Sequence, residues 1–117
     1  MENLNPFVLI LLLTGGTFLL AGIVQHKFPP KKINHFYGYR TTRSRRSQAH
    51  WTFAQAYSAQ KMIQFSLAMI ALGGLSWGLD FSPPYPMALG LLLTVVFPLM
   101  MILNVERELK KRFPKDL

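Results

Sequence analysis

The chain has 117 residues, half of them apolar, yet its formal charge is +8. A soluble globule of this size needs a polar coat, so the two figures fit one small membrane domain whose charges are confined to its water-facing ends. There is no cysteine, which excludes disulfides and thiolate metal sites.

Asn5-Pro6 opens the first element, because Asn is a favoured N-cap and Pro is tolerated at the first helical position. The run from Phe7 to Val24 carries no charge, and its length matches a bilayer span over about 7–25. A secretory signal peptide competes with this reading. It would carry positive charge ahead of the apolar run, whereas here only the amino terminus and Glu2 stand there. Gln25-His26-Lys27-Phe28 then meets water, and Pro29-Pro30 stops the helix.

A basic loop over 26–61 follows, and within it a second helix starts near Ser47, a favoured N-cap. Residue 50 is His rather than Glu or Gln, so no capping box is completed. Phe53, Ala56 and Tyr57 share a face with Ala49, a weak amphipathic stripe suited to the headgroup level. Residues 62–79 make a second uncharged run, near the short limit for a span. One helix from Ser47 to Leu79 would be roughly 50 Å long at 1.5 Å per residue. Its first half should therefore stand out of the membrane or bend at the interface. Asp80 to Pro86 is a tight connection with three prolines. The third span covers 87–105, with a kink expected at Pro98, which frees the carbonyl of Thr94. A charged helical tail, 106–117, pairs Glu106 with Lys110 at the i, i+4 spacing and stops at Pro114.

The fold class read from this pattern is all-α: a single integral membrane domain with three transmembrane helices. All thirteen Lys and Arg, from Lys27 to Lys61 and from Arg107 to Lys115, fall on the side of the first loop and the tail. The positive-inside rule then puts both in the cytoplasm and the N-terminus outside, in a multi-pass inner (plasma) membrane protein.

Within the loop, Gly38 can take a positive φ between two tyrosines and Asn34 can form an Asx-turn. Arg40 offers a planar fork of donors to a phosphate or carboxylate. Two readings stand side by side. Asn34, Gly38, Tyr39, Arg40, Thr41 and Trp51 form a turn that binds a headgroup, a peptide or a partner protein. Or they fold the loop back as a plug, with Arg40 capping helix carbonyls or pairing with Glu106 or Glu108. Lys31, Lys32, Arg43, Arg45 and Arg46 are read as contacts to anionic lipid, at about 1 kcal/mol each near the surface.

At this loop the chain resembles the SdpI family of small integral membrane proteins, on Pro30, Ile33-Asn34, Gly38-Tyr39-Arg40-Thr41, Ser44 and Trp51. Where family members often carry Asn and acidic residues before the Trp, this chain has Ser47-Gln48-Ala49-His50. The resemblance implies an all-helical inner-membrane protein with a role in immunity to a toxin peptide or in the signalling coupled to it.

Other chemistry finds little support. Nucleic-acid binding needs a basic module with stacking aromatics or a groove-reading helix, and the loop offers neither. His26, His35 and His50 match no metal spacing and lack a carboxylate beside them, so no metal or cofactor is expected. No acidic residue in the loop can orient a His for nucleophilic catalysis. The spans carry no charged group for a coupled transporter. Gln64 and Asn104 are their candidate polar liners, and Asn104 is deep enough to join the loop site or to bond another helix. Gly74 and Gly78, with Gly15-Gly16, are small-residue positions for close helix approach, within the chain or in a homo-oligomer. The expected function is a non-catalytic immunity or signal-transducing protein that binds a toxin peptide or regulatory protein through the loop. The alternative is a small lipid-binding or transport-type membrane protein with a polar cavity around Gln64 and Asn104.

Overall fold

A computed structural model of the chain describes residues 4–114, so Glu2 and Lys115 of the charge reading lie outside the described residues. Three helices, α1 (Pro6–Lys27), α2 (Gln48–Gly78) and α3 (Pro86–Arg112), pack as one bundle with extents of 52 × 27 × 20 Å. Asn5 caps α1 as its residue type predicts. Its Oδ1 accepts the N–H of Val8 at 3.0 Å, and its Nδ2 donates to the carbonyl of Phe81 at 3.0 Å, tying the start of α1 to the α2–α3 connection.

Ser47 caps α2, accepting the His50 N–H at 3.2 Å. The His50 ring returns to the cap, with Nδ1 2.6 Å from Ser47 Oγ, where a Glu or Gln would complete a capping box. At the far end α2 closes in a Schellman motif. Phe81 N–H donates to the Ser76 carbonyl and Asp80 N–H to that of Trp77, with Asp80 left-handed at φ 54°. α3 runs through Pro98 and ends at Arg112, two residues before Pro114.

The buried face of α2 differs from the expected stripe. Trp51, Ala54, Gln55, Ser58 and Ala59 point inward, whereas Ala49 and Ala56 are exposed. Hydrophobicity alone could not find this face, because two of its residues are polar and are matched by polar partners.

α1 and α2 run antiparallel and approach closely through glycine. A Cβ on Gly15 would lie 2.8 Å from Ile70 Cγ1, and one on Gly22 would lie 3.0 Å from Ile63 Cγ1. Both helices thus step by seven residues along the contact, and Gly73 meets Leu11 and Leu12 about one helical turn beyond the Gly15–Ile70 contact. Gly90 gives Ile10 the same access to α3. Gly16, Gly74 and Gly78 take no part; each faces open space.

Among the described residues, two helices, α1 and α3, are long and apolar enough to cross a membrane. α2 is longer than either but carries a charge within its apolar half. It stops at Gly78, so an eighteen-residue stretch ending there must take in Lys61.

Overpacking at a helix contact costs about 1–3 kcal/mol. Gly15→Leu and Gly22→Leu are therefore expected to lower the thermal midpoint of the detergent-solubilised protein by several degrees. Gly78→Leu should leave it unchanged, as followed by helical circular dichroism.

Candidate functional site

The loop between α1 and α2 is a strap drawn across one end of the bundle, and its bonds are mostly to backbone. Trp51, on the first turn of α2, is fully buried and donates its indole N–H to the Pro30 carbonyl at 2.6 Å. Gln48 donates to the Lys31 carbonyl at 2.6 Å. These two bonds hold the chain leaving α1 against the start of α2. Asn34 then turns it: Oδ1 accepts the N–H groups of Phe36 and Tyr37 at 2.9 and 2.8 Å. That is the predicted Asx-type turn. The Tyr37 hydroxyl donates to the Phe28 carbonyl at 2.6 Å, covering the end of α1.

Gly38 follows with φ 103°, and any Cβ there would collide with the Gln55 amide and the Pro30 ring. The turn delivers Tyr39 to Gln55. The side-chain amide of Gln55 accepts the Tyr39 N–H and donates to the Tyr39 carbonyl, both at 2.7 Å. Gln25 of α1 backs this pair from behind, donating to the Gln55 carbonyl at 3.0 Å and to the Ser58 hydroxyl at 2.7 Å.

Successive side chains of residues 39–41 face opposite ways: Tyr39 is buried, Arg40 exposed and Thr41 half-buried. Tyr39 and Thr41 turn inward to Glu106 of α3, donating their hydroxyls to its Oε2 at 2.7 and 2.9 Å. Arg43 adds an ion pair, Nε to Oε1 at 3.6 Å. Burial, then the hydrogen bond and the charge of Glu106, push the Tyr39 phenol far above its ordinary range, so it stays protonated. Ser44 is fully buried and knots the turn, exchanging bonds with Thr41 at 2.9 and 3.1 Å.

Alternation turns Arg40 outward. It is exposed and donates to the His35 carbonyl within the loop. The partners expected of it lie elsewhere: Glu106 goes to Tyr39, Thr41 and Arg43, and Glu108 pairs with Lys111 at 3.8 Å. The expected Glu106–Lys110 helical pair is displaced by the same loop contacts. Lys31, Lys32, Arg45 and Arg46 are exposed, whereas Arg43 is half-buried against Glu106. Asn104 donates to the Met100 carbonyl on its own helix at 2.9 Å, and Gln64 is exposed and accepts from Lys61 at 3.3 Å. Neither lines the crevice between the strap and the three helices. His50 stacks on Phe113 with ring centres 4.0 Å apart, clamping the end of α3 to the start of α2.

Of the sequence-predicted set, the structure brings Asn34, Gly38, Tyr39, Thr41 and Trp51 together as the frame of the strap. Arg40 rides on its outer side and Asn104 stays apart. Gln25, Gln55 and Ser58 were not foreseen. Their signal was polar side chains at helical spacing next to an apolar run, a pattern that reads equally well as a water-facing end.

These positions bear on kinship. The model of the SdpI/YfhL protein family matches residues 31–103, well over half of the chain. The chain belongs to the SdpI/YfhL family. It is also similar to an uncharacterized protein, YfhL, of Bacillus subtilis (strain 168), 47% identical over 62 residues. That match covers 53% of this chain and 56% of the relative, so the chain spans little more than half the length of the curated relative it matches. No solved structure matches it. Family and apolar helices together make this SdpI/YfhL protein a membrane protein.

Glu106→Ala strands two hydroxyls and Arg43, and hydrogen bonds to a charged group contribute about 1.5–3 kcal/mol each when both partners are desolvated. The strap should loosen. Limited trypsin digestion in detergent, cutting after Arg43, Arg45 and Arg46, is expected to run several-fold faster than in the wild type while helicity holds.

Proposed function

We propose that this SdpI/YfhL protein is a non-catalytic immunity or signal-transducing protein of the inner membrane, which binds a toxin peptide or a regulatory protein through the outer side of its strap. In this reading it crosses the bilayer three times, α2 included, with the strap and the end of α3 in the cytoplasm. The observation that carries the proposal is the division of labour in the loop. Tyr39, Thr41 and Ser44 turn inward and bond within the chain, while Arg40 and Phe36 are held outward by a tied turn. Phe36 is 91% exposed, an unusual state for a Phe in a well-tied turn. With the exposed Arg40 on the same strap it offers residue types enriched at protein interfaces. The charge distribution supports the sidedness. Membership in the family supports the immunity class.

Single cysteines test the topology in a chain that has none. Cysteine at Ser82 should react with an impermeant maleimide from outside intact cells, and cysteine at Phe36 only after the cells are opened. The reverse pattern would overturn the orientation. In a deletion strain challenged with membrane-active peptides, the wild-type chain should restore survival, and a Phe36→Ala, Arg40→Ala double variant should lose at least about tenfold of it while inserting normally. Full protection by that variant would remove the strap from the role. Trp51→Ala is the wrong probe, because that indole holds the strap in place.

A further inference from the structure

The cations of the strap stand well past the end of α1. Gly22 lies opposite Ile63 along the α1–α2 contact, and Gln25 reaches Ser58, so Lys27, the last residue of α1, is level with the middle of α2. Residues 48–57 of α2 run on beyond it by about 15 Å at 1.5 Å per residue. The strap goes with them. Gln48 and Trp51, on the first turn of α2, hold the carbonyls of Lys31 and Pro30, and Arg45-Arg46 directly precede the Ser47 cap. The end of α3 arrives at the same place, with Phe113 stacked on His50. Lys31, Lys32, Arg45 and Lys110 are exposed towards this far end, and the side chains of Lys31, Lys32 and Lys110 bond nothing among the described residues. The nearby carboxylates, Glu106 and Glu108, are taken by Arg43 and Lys111.

α1 has 22 residues, about 33 Å of helix, which matches a hydrocarbon core of about 30 Å with little to spare. With α1 as a span, Lys27 stands at the headgroups and the far end roughly 10 Å beyond them. That exceeds the Debye length of about 8 Å at physiological salt, so lipid phosphates are largely screened from it. Unpaired positive charge outside the reach of the bilayer suits an anion carried by a soluble molecule. Ile33 and Phe36 stand exposed, 40% and 91%, in the strap between Lys32 and Arg45. We infer that this far end docks an acidic amphipathic helix of a cytoplasmic protein, with carboxylates on Lys31, Lys32 and Arg45 and an apolar face on Ile33 and Phe36. A nucleic acid would match the charge but has no surface for the aliphatic Ile33. The inference rests on the reading of the strap as a cytoplasmic partner-binding surface, and it adds the chemistry of the partner.

The test uses the full chain in nanodiscs of phosphatidylcholine, which removes anionic lipid, and a fluorescent helical peptide with Glu on one face and Leu on the other. The peptide should bind, and should weaken at least about tenfold between about 50 and about 300 mM salt. A Lys31→Glu, Lys32→Glu double variant should bind it about tenfold more weakly with helicity unchanged. A Lys-and-Leu peptide and duplex DNA should both bind at least about tenfold more weakly than the acidic peptide. In nanodiscs doped with a headgroup quencher, a fluorophore on Lys27→Cys should be quenched and one on Lys32→Cys should not, in a chain with no other cysteine. Acidic-peptide binding that ignores salt or the double variant, DNA binding as tight as the peptide, or equal quenching at the two positions would each overturn the inference. None of these measurements reads protection, so the strap's role in immunity and its preference for an acidic partner can fail separately.

Discussion

The fold of this protein turns on one buried amide. Gln55 offers its side chain to Tyr39 as another strand would, satisfying the residue's N–H and carbonyl at once. Both backbone groups lie away from water, where an unpaired polar group costs about 1–3 kcal/mol. No apolar side chain at 55 could replace that exchange. The pair also dictates its neighbours. Residue 38 must be glycine, because its φ is positive and the Gln55 amide and Pro30 ring fill the space of a Cβ. Gln25 must reach across from α1, because the Gln55 carbonyl would otherwise have one fewer donor near it.

Once Tyr39 is seated, the next two residues follow by the alternation of their side chains. Alternation sends Tyr39 and Thr41 to Glu106 and leaves Arg40 outside. Glu106 is thereby the point at which α3 joins the assembly, and the carboxylate that looked like half of a surface helical pair becomes the acceptor for the loop. Around it the end of α3 is held by ring contacts: His50 on Phe113, and Arg112 4.6 Å above the Phe53 ring. Of the two readings of the loop, the contacts bear on the plug. The same six residues divide into five that build the plug and one, Arg40, that the plug holds outward.

Much of this was legible in advance. Asn5, Ser47, Pro29-Pro30 and the proline-rich connection at 80–86 mark helix ends through local chemistry, and the helices end there. The Asn34 turn and the special conformation of Gly38 were likewise readable, because each depends on a few adjacent residues. The partner of Glu106 was not, nor was the role of Gln25 and Gln55. A polar residue at the end of an apolar run has the same appearance whether it meets water or another helix. The glycines illustrate the same limit. Gly74 and Gly78 have the spacing of a contact motif and face open space, while Gly15, Gly22 and Gly73 carry the packing. Spacing within one helix says that a small-residue face exists; only the rotation of its neighbour decides which small residues are used.

By itself, then, the sequence determined the number of helices, where they break, the membrane character of the chain and the motif that joins it to the SdpI/YfhL family. These rest on hydropathy, charge and turn chemistry, which are properties of short stretches. The tertiary structure decided which motif residues are frame and which is display, which glycines lie in contacts, and that a crevice opens beneath the strap between Gln25, Met62 and Met101. Those depend on groups tens of residues apart arriving at one place, Gln25 at Gln55 and Tyr39 at Glu106, and hydrogen-bond saturation in a buried site is a property of the assembled neighbourhood rather than of any one segment.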